Sequence, residues 1–158
     1  MFYLNKMPSQ PYGEFIDKMH SKWYNDYEKL ERDHSYIQWI MPNSFQSRFN
    51  SHARPLLKAE AEEFRTNFEI ARRYLKSYDM MLAFYGIKMK SRQTGELARS
   101  RHPNYRERFH KTFITSWHNH MRITRILTSL TETGFGRYAV ELCQFLRREI
   151  YELGVSMG

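Results

Sequence analysis

Residues 68–85 carry the pattern that most restricts the fold of this chain. At 100° per residue, a set of apolar and aromatic side chains in this stretch falls within one arc of a helix. These residues are Ile70, Ala71, Tyr74, Leu75, Tyr78, Met81, Leu82 and Tyr85. Charged residues such as Arg72 and Lys76 lie outside the arc, and Gly86 stands where a left-handed residue would end the helix. The stretch therefore predicts a long amphipathic helix with one buried face.

Similar spacing elsewhere predicts further helices. The predicted ranges are 17–32, 58–67, 103–111, 115–133 and 138–153. A period of two residues, which is typical of half-buried strands, is nowhere sustained. We therefore expect an all-α fold, a single-domain multi-helix bundle with a basic, loop-rich segment.

The length and the cysteine content place bounds on the class of protein. We expect residues 1–158 to form one domain, with residues 1–12, which contain two prolines, as an extended lead-in. The single Cys143 excludes an internal disulfide and fits a reducing compartment. The amino terminus lacks the apolar stretch of a signal peptide, and no apolar run approaches the roughly 18 residues of a membrane span. We expect an intracellular protein without a transmembrane segment.

Positive charge is concentrated in residues 88–111. The segment contains eight Lys or Arg residues and two Glu residues, so it carries +6 of the formal net charge of +8. The candidate polyanion-binding residues are Arg92, Arg99, Arg101, Arg106, Arg108 and Lys111. Such a patch can attract nucleic acid or another polyanion. A solvated surface without a ligand is the alternative interpretation.

No motif for catalysis or metal binding is present in the sequence. The segment 131–138 has two glycines but lacks the Lys-Ser/Thr pair of a phosphate-binding loop. His118 and His120 would diverge by about 200° on a helix, which disfavours a shared metal ion. Cys143 falls on an apolar helical face, where a buried, inert thiol is expected. We therefore expect a protein that is not an enzyme and that has no cofactor and no metal site.

Polar residues on apolar helical faces are the first candidates for a ligand site. Asn119 shares a face with Ile123 and Leu127, and Glu149 shares a face with Leu142 and Leu146. A buried carboxylate is costly unless it meets a cation or several donors, so an internal network is one interpretation and a polar ligand anchor is the other. A stripe of residues next to Asn119 is suited to clamping a carboxylate or phosphate. It consists of His118, Arg122, Arg125 and Ser129.

The stretch "HSYIQWIMP", residues 34–42, supplies the other candidates. Tyr36, Trp39 and Ile40 follow helical spacing, which predicts that most of the stretch is core. Gln38 and Trp39 are the candidates for a pocket wall, because an amide and an indole contact both polar and apolar groups. Residues 43–55, which follow, have the composition of a loop, and long loops are often functional.

Four blocks of the sequence resemble the conserved region of the opioid growth factor receptor family. They are "KWYNDYEKLERDHSYIQWIMP" (22–42), "MMLAFYGIKM" (80–89), "HPNYRERF" (102–109) and "HNHMRITRILTSLTETGF" (118–135). Their order and spacing agree with that family over nearly the whole chain. The resemblance implies a receptor that binds the opioid pentapeptide Met-enkephalin, takes part in growth regulation, and is located in the nucleus or at perinuclear membranes. It provides no set of catalytic residues.

Two functions from different classes therefore remain open. The first is a non-enzymatic receptor domain that binds a short opioid-type peptide. Such a site needs an aromatic wall, a carboxylate for the terminal amine and a cation for the terminal carboxylate; Trp39, Glu149 and Arg122 are residues of these types. The second is a helical module that binds nucleic acid or another polyanion through residues 88–111.

Overall fold

The structure, a computed structural model, describes residues 1–48, 50–100, 105–114 and 117–152. Its α-helices are α1 (Ile16–Lys22), α2 (Tyr27–Arg32), α3 (Ile37–Ile40), α4 (Lys58–Thr66), α5 (Phe68–Tyr85), α6 (Tyr105–Phe109), α7 (Trp117–Glu132) and α8 (Gly136–Glu152). A 3-10 helix (Phe2–Leu4) and a π-helical turn (His110–Ile114) add to these helices. The strands β1 (Ile87–Met89) and β2 (Leu97–Arg99) pair in antiparallel fashion. The predicted helical fold is confirmed, and the small hairpin lies where only loop was expected.

Helix α5 has the predicted bounds and lies at the centre of the core. The side chain of Asn67 accepts hydrogen bonds from the first backbone N–H groups of the helix, and Gly86 ends it at a φ of 86°. The predicted inner arc is largely buried, and the Tyr74 and Ser129 hydroxyls are 2.7 Å apart. That hydrogen bond fixes α5 against α7. Burial of the periodic apolar face therefore explains why this helix lies in the core.

The range 17–32 forms two short helices, α1 and α2, instead of the single predicted helix. The chain turns between them at Asn25, which has a φ of 65°. Asn is among the few residues that adopt this conformation at low cost. Asp26 then caps α2, since its carboxylate accepts a hydrogen bond from the backbone N–H of Lys29 at 3.2 Å. The local Asn-Asp turn outweighed the helical spacing of the apolar residues.

The amino-terminal segment was predicted to be an extended lead-in, but it is part of the core. The 3-10 helix places the rings of Phe2 and Tyr3 in buried positions, at 6% and 5% exposure. The Tyr3 hydroxyl donates to the backbone carbonyl of Ile40 at 2.6 Å and contacts Ser77 Oγ at 2.8 Å. Burial of two aromatic rings outweighs the loss of chain entropy at this terminus.

Helices α7 and α8 form a hairpin that turns at Gly134, where φ is 95°. Cys143 on α8 is exposed, so the prediction of a buried thiol is wrong. The buried face of α8 is centred on Tyr138, Leu142 and Phe145, and this places Cys143 at its edge. The predicted helix ends Pro103, Thr115 and Leu153 lie outside the described residues.

Candidate ligand-binding site

A cleft of about 490 Å³ opens between the amino-terminal segment, α3, the loop that precedes α4, and α4 itself. We call it the aromatic cleft. Its lining residues are Met1, Phe2, Tyr3, Leu4, Met7, Gln10, Gln38, Trp39, Pro42, His52, Ala53, Arg54, Pro55, Leu56, Glu60, Glu63, Phe64 and Ile70. The volume lies within the range of ordinary ligand pockets, about 300–1,000 Å³. Two candidates from the sequence, Gln38 and Trp39, thus line one cleft.

The indole of Trp39 is held firmly in the wall of the aromatic cleft. Its Nε1–H donates to the backbone carbonyl of Gln10 at 2.9 Å. The ring of Phe2 packs against it edge to face, with the ring centroids 5.5 Å apart. Because both contacts fix its orientation, the indole is a preformed apolar surface for a ligand.

Charged groups of both signs lie at the rim of the aromatic cleft. Glu63 and Arg54 are exposed, and neither has an ion-pair partner among the described residues. Glu60 is less available, because its carboxylate accepts a hydrogen bond from the backbone N–H of Leu57 at 3.0 Å. The cleft therefore offers an aromatic wall together with a carboxylate and a guanidinium.

A second pocket, of about 180 Å³, adjoins the aromatic cleft at Gln38, which lines both. We call it the arginine pocket. It is lined by His34, Ile37, Gln38, Gln46, Ser47, Arg48, His118, Met121, Arg122 and Arg125. Four of the predicted ligand-binding residues, Gln38, His118, Arg122 and Arg125, therefore converge here. The long loop after Pro42 supplies Arg48, which the sequence analysis did not single out.

Backbone carbonyls hold the two arginines of α7 in place. Arg122 is 5% exposed and donates to the carbonyls of Leu30 and Asp33 at 2.6 and 2.8 Å. Arg125 donates from Nε to the carbonyl of Met41 at 2.9 Å. Within the described ranges, no carboxylate lies in ion-pair contact with either guanidinium. Burial lowers the pKa of Arg125 to about 10, and the more distant Glu132 acts in the opposite direction.

Gln38 is the polar residue between the two spaces. It is 4% exposed, and its Nε2 donates to the backbone carbonyl of His34 at 3.2 Å. Its Oε1 is buried and has no hydrogen-bond partner in the described part of the chain. A buried acceptor left in this state costs about 1–3 kcal/mol. A ligand that donates a hydrogen bond to it would remove that cost.

Asn119 and His118 both contact Glu31 at one side of the arginine pocket. Asn119 is fully buried, and its Nδ2 donates to Glu31 Oε2 at 3.0 Å. His118 Nε2 lies 3.2 Å from Glu31 Oε1, and its ring packs against the ring of His34. Burial, together with the charge of Arg122, lowers the pKa of His34. Asn119 is therefore placed behind the pocket and does not line it.

Glu149 lies in a different part of the molecule from Trp39 and the arginine pocket. Its carboxylate, 5% exposed, accepts hydrogen bonds from Arg99 Nε at 2.9 and 3.2 Å and from the Tyr105 hydroxyl at 2.6 Å. These contacts form an internal network, which was one of the two interpretations of a carboxylate on the apolar face of this helix. Glu149 is thus already engaged, and the carboxylates that line the same cleft as Trp39 are Glu60 and Glu63.

The basic segment 88–111 does not form one open cationic face. Arg92 pairs with Asp79 at 2.6 Å, and Arg99 pairs with both Glu149 and Glu152 at 2.9 Å. Arg108 is half-buried, donates to the carbonyl of Phe84 and lies 3.9 Å from the ring centroid of Tyr27. Burial lowers its pKa. Arg106 and Lys111 are exposed, and Arg101 lies outside the described residues.

Neither a metal-binding cluster nor a membrane-spanning helix occurs within the described ranges. No group of three or more His, Cys, Asp or Glu residues there could hold a metal ion. None of the helices in that part of the chain combines the length and apolarity that a membrane crossing requires. What the fold does provide is the aromatic cleft with the arginine pocket beside it.

Together these features define a mostly helical fold with a cleft that aromatic and charged side chains line. The conserved region of the opioid growth factor receptor matches residues 1–152, so the chain belongs to this family. No solved structure matches the chain.

Relatives from several vertebrates are similar to nearly the whole chain. Opioid growth factor receptor-like protein 1 of Mus musculus is 45% identical over 148 residues, which are 94% of this chain and 31% of that protein. The opioid growth factor receptor of Homo sapiens is 40% identical over 148 residues, which are 94% of this chain and 21% of that protein. The chain thus spans less than a third of the length of these relatives.

Proposed function

We propose that this chain is a non-enzymatic receptor domain that binds a short opioid-type peptide in the aromatic cleft. The observation that carries the proposal is the position of Glu63 and Arg54 on the rim of a cleft walled by Trp39 and Phe2. Apolar side chains of the peptide pack on the two rings, its terminal amine meets the Glu63 carboxylate, and Arg54 adds positive charge at the rim. Membership of a family named for a growth factor receptor supports the same function.

Isothermal titration calorimetry with Met-enkephalin tests the proposal. The wild type should bind the peptide, and Trp39→Ala should weaken binding by about tenfold or more, since it removes a large preformed contact surface. Glu63→Gln should weaken binding by several-fold, and acetylation of the peptide amino terminus should remove that difference.

A neighbouring exposed residue provides a matched control for the charged rim. Glu62 follows Ala61 on α4 and does not line the aromatic cleft, so Glu62→Gln should leave the affinity unchanged. If wild-type protein gives no heat of binding with Met-enkephalin at any accessible concentration, the proposed function is wrong.

A polyanion-binding module is the second candidate function. The net charge of +6 in residues 88–111 favours it, as do the exposed side chains of Arg106 and Lys111. The ion pairs of Arg92 and Arg99 reduce the positive field that this segment presents. We therefore place peptide binding first.

A role in growth regulation and a nuclear or perinuclear location form the cellular part of the proposal. Both rest on membership of the opioid growth factor receptor family. Fluorescence microscopy of the tagged chain tests the location. A fluorescent signal excluded from the nucleus and its surroundings would contradict it.

A further inference from the structure

The arginine pocket concentrates the positive charge of three arginine side chains. Arg48, Arg122 and Arg125 all line it, and among the described residues none of the three forms an ion pair. Arg125 is held through its Nε, and no hydrogen bond of its Nη1 occurs within the described ranges. A partly buried guanidinium in this state favours an anionic ligand, since charge-assisted hydrogen bonds are strongest away from bulk water.

Gln38 adds a second requirement for the ligand, namely a hydrogen-bond donor. Its buried Oε1 has no partner, while its Nε2 is fixed by the carbonyl of His34. Because that contact sets the orientation of the amide, the unpaired atom of this pocket-lining residue is an acceptor. The ligand must therefore bring a hydrogen-bond donor as well as a negative charge.

The remaining lining limits the size and polarity of the ligand. Ile37 and Met121 provide an apolar wall, and the volume of about 180 Å³ suits a single side chain with its backbone groups. An inorganic phosphate provides no apolar group to contact Ile37 and Met121. The last residue of a peptide provides an anionic carboxylate, a backbone N–H and a side chain.

We propose that the arginine pocket binds the free carboxyl terminus of the peptide whose remaining residues lie in the aromatic cleft. The terminal carboxylate contacts Arg125 and Arg48, the last backbone N–H donates to Gln38 Oε1, and the last side chain packs on Ile37 and Met121. Arg122, which backbone carbonyls hold in place, adds its charge to the pocket. This inference rests on the proposed function, and it fixes the direction in which the peptide lies, because Gln38 lines both spaces.

Comparing Met-enkephalin with its carboxy-terminal amide tests the inference. Amidation removes the charge and keeps the peptide otherwise unchanged, so the wild type should bind the amide about tenfold or more weakly than the acid. We define the acid-to-amide ratio as the affinity for the acid divided by the affinity for the amide. Arg125→Gln and Arg48→Gln should each reduce this ratio toward one. The ratio is insensitive to a partial loss of folded protein, which affects both peptides alike.

Arg147→Gln is the matched control, because Arg147 is an exposed arginine on α8 that does not line the pocket. Its acid-to-amide ratio should equal that of the wild type. Equal affinity of the wild type for acid and amide would overturn the inference while leaving the proposed function intact. Absence of binding for both peptides would instead overturn the proposed function, and the inference with it.

Discussion

Nε of Arg99 lies 2.9 and 3.2 Å from the two carboxylate oxygens of Glu149, although 50 residues separate them in the sequence. Arg99 belongs to the basic segment that favours polyanion binding, whereas Glu149 was the candidate carboxylate of a peptide site. The ion pair engages both, and it joins β2 to α8. Each therefore has a structural role that reduces its availability to a ligand.

Removing the Glu149 carboxylate should destabilise the fold. Glu149→Ala leaves the Arg99 guanidinium and the Tyr105 hydroxyl without this acceptor, and we expect a loss of about 2–4 kcal/mol. Arg99 is 37% exposed, so water limits the effect. Chemical denaturation measures it, with Glu152→Ala as the control, because Glu152 is exposed and should cost under about 0.5 kcal/mol. A similar small loss for Glu149→Ala would show that the network is weak.

Two buried tyrosines of α5 should respond in opposite ways to loss of the hydroxyl. The Tyr78 hydroxyl is buried and has no partner among the described residues, whereas the Tyr85 hydroxyl donates to the carbonyl of Asn119 at 2.8 Å. Tyr78→Phe should leave stability unchanged or raise it, while Tyr85→Phe should cost about 1–2 kcal/mol. Thermal unfolding of the two variants side by side checks this. A larger loss for Tyr78→Phe would reveal a partner for its hydroxyl.

Stability should decrease in mildly acidic solution because of His20. Burial lowers the pKa of His20 to about 4 from an ordinary value of 6.5, and the positive charge of Lys76 acts in the same direction. Below about pH 6.5 the unfolded chain binds a proton that the folded chain does not, so the free energy of unfolding should fall as the pH drops toward 4. The full effect is about 3 kcal/mol.

His20→Gln isolates this contribution, because Gln does not titrate and can keep the hydrogen bond to Ser77. The difference in unfolding free energy between wild type and variant should change between pH 6.5 and 4 and be constant at higher pH. A constant difference over the whole range would mean that His20 binds its proton equally in both states.

The polyanion hypothesis predicts a steep dependence on salt. Affinity for nucleic acid would fall log-linearly with salt concentration, with a slope of about −0.7 to −0.9 per phosphate neutralised. Replacing the exposed Arg106 and Lys111 by Gln would flatten that slope. We expect instead no measurable nucleic-acid affinity at moderate salt, and a peptide affinity that these two changes leave intact. Filter binding of nucleic acid at two salt concentrations distinguishes salt-dependent polyanion binding from the absence of nucleic-acid binding.

Helical periodicity was enough to predict the main elements of the fold. The bounds of α5 follow from its apolar arc together with Asn67 and Gly86, and these are local signals. The division of 17–32 into two helices and the burial of Phe2 and Tyr3 were not predicted. Those outcomes depend on an Asn in a left-handed turn and on tertiary packing, which outweigh the periodicity of the sequence.

The candidate site was only partly visible in the sequence. Gln38, His118, Arg122 and Arg125 lie on α3 and α7, where helical spacing indicates which side chains point the same way. Glu63, Arg54 and Arg48 were missed, because their position depends on the path of the loop between Pro42 and α4. The length of that loop was the one sequence signal that pointed to it.

The indole N–H signal of Trp39 in a proton–nitrogen correlation spectrum tests the central claim most directly. Trp39→Phe assigns the signal, and Trp23, which lies under Lys29 and does not line the aromatic cleft, is the internal control. Adding Met-enkephalin should shift or broaden the Trp39 signal in proportion to occupancy and leave the Trp23 signal unchanged. A Trp39 signal that stays in place at a large excess of peptide would contradict peptide binding in this cleft.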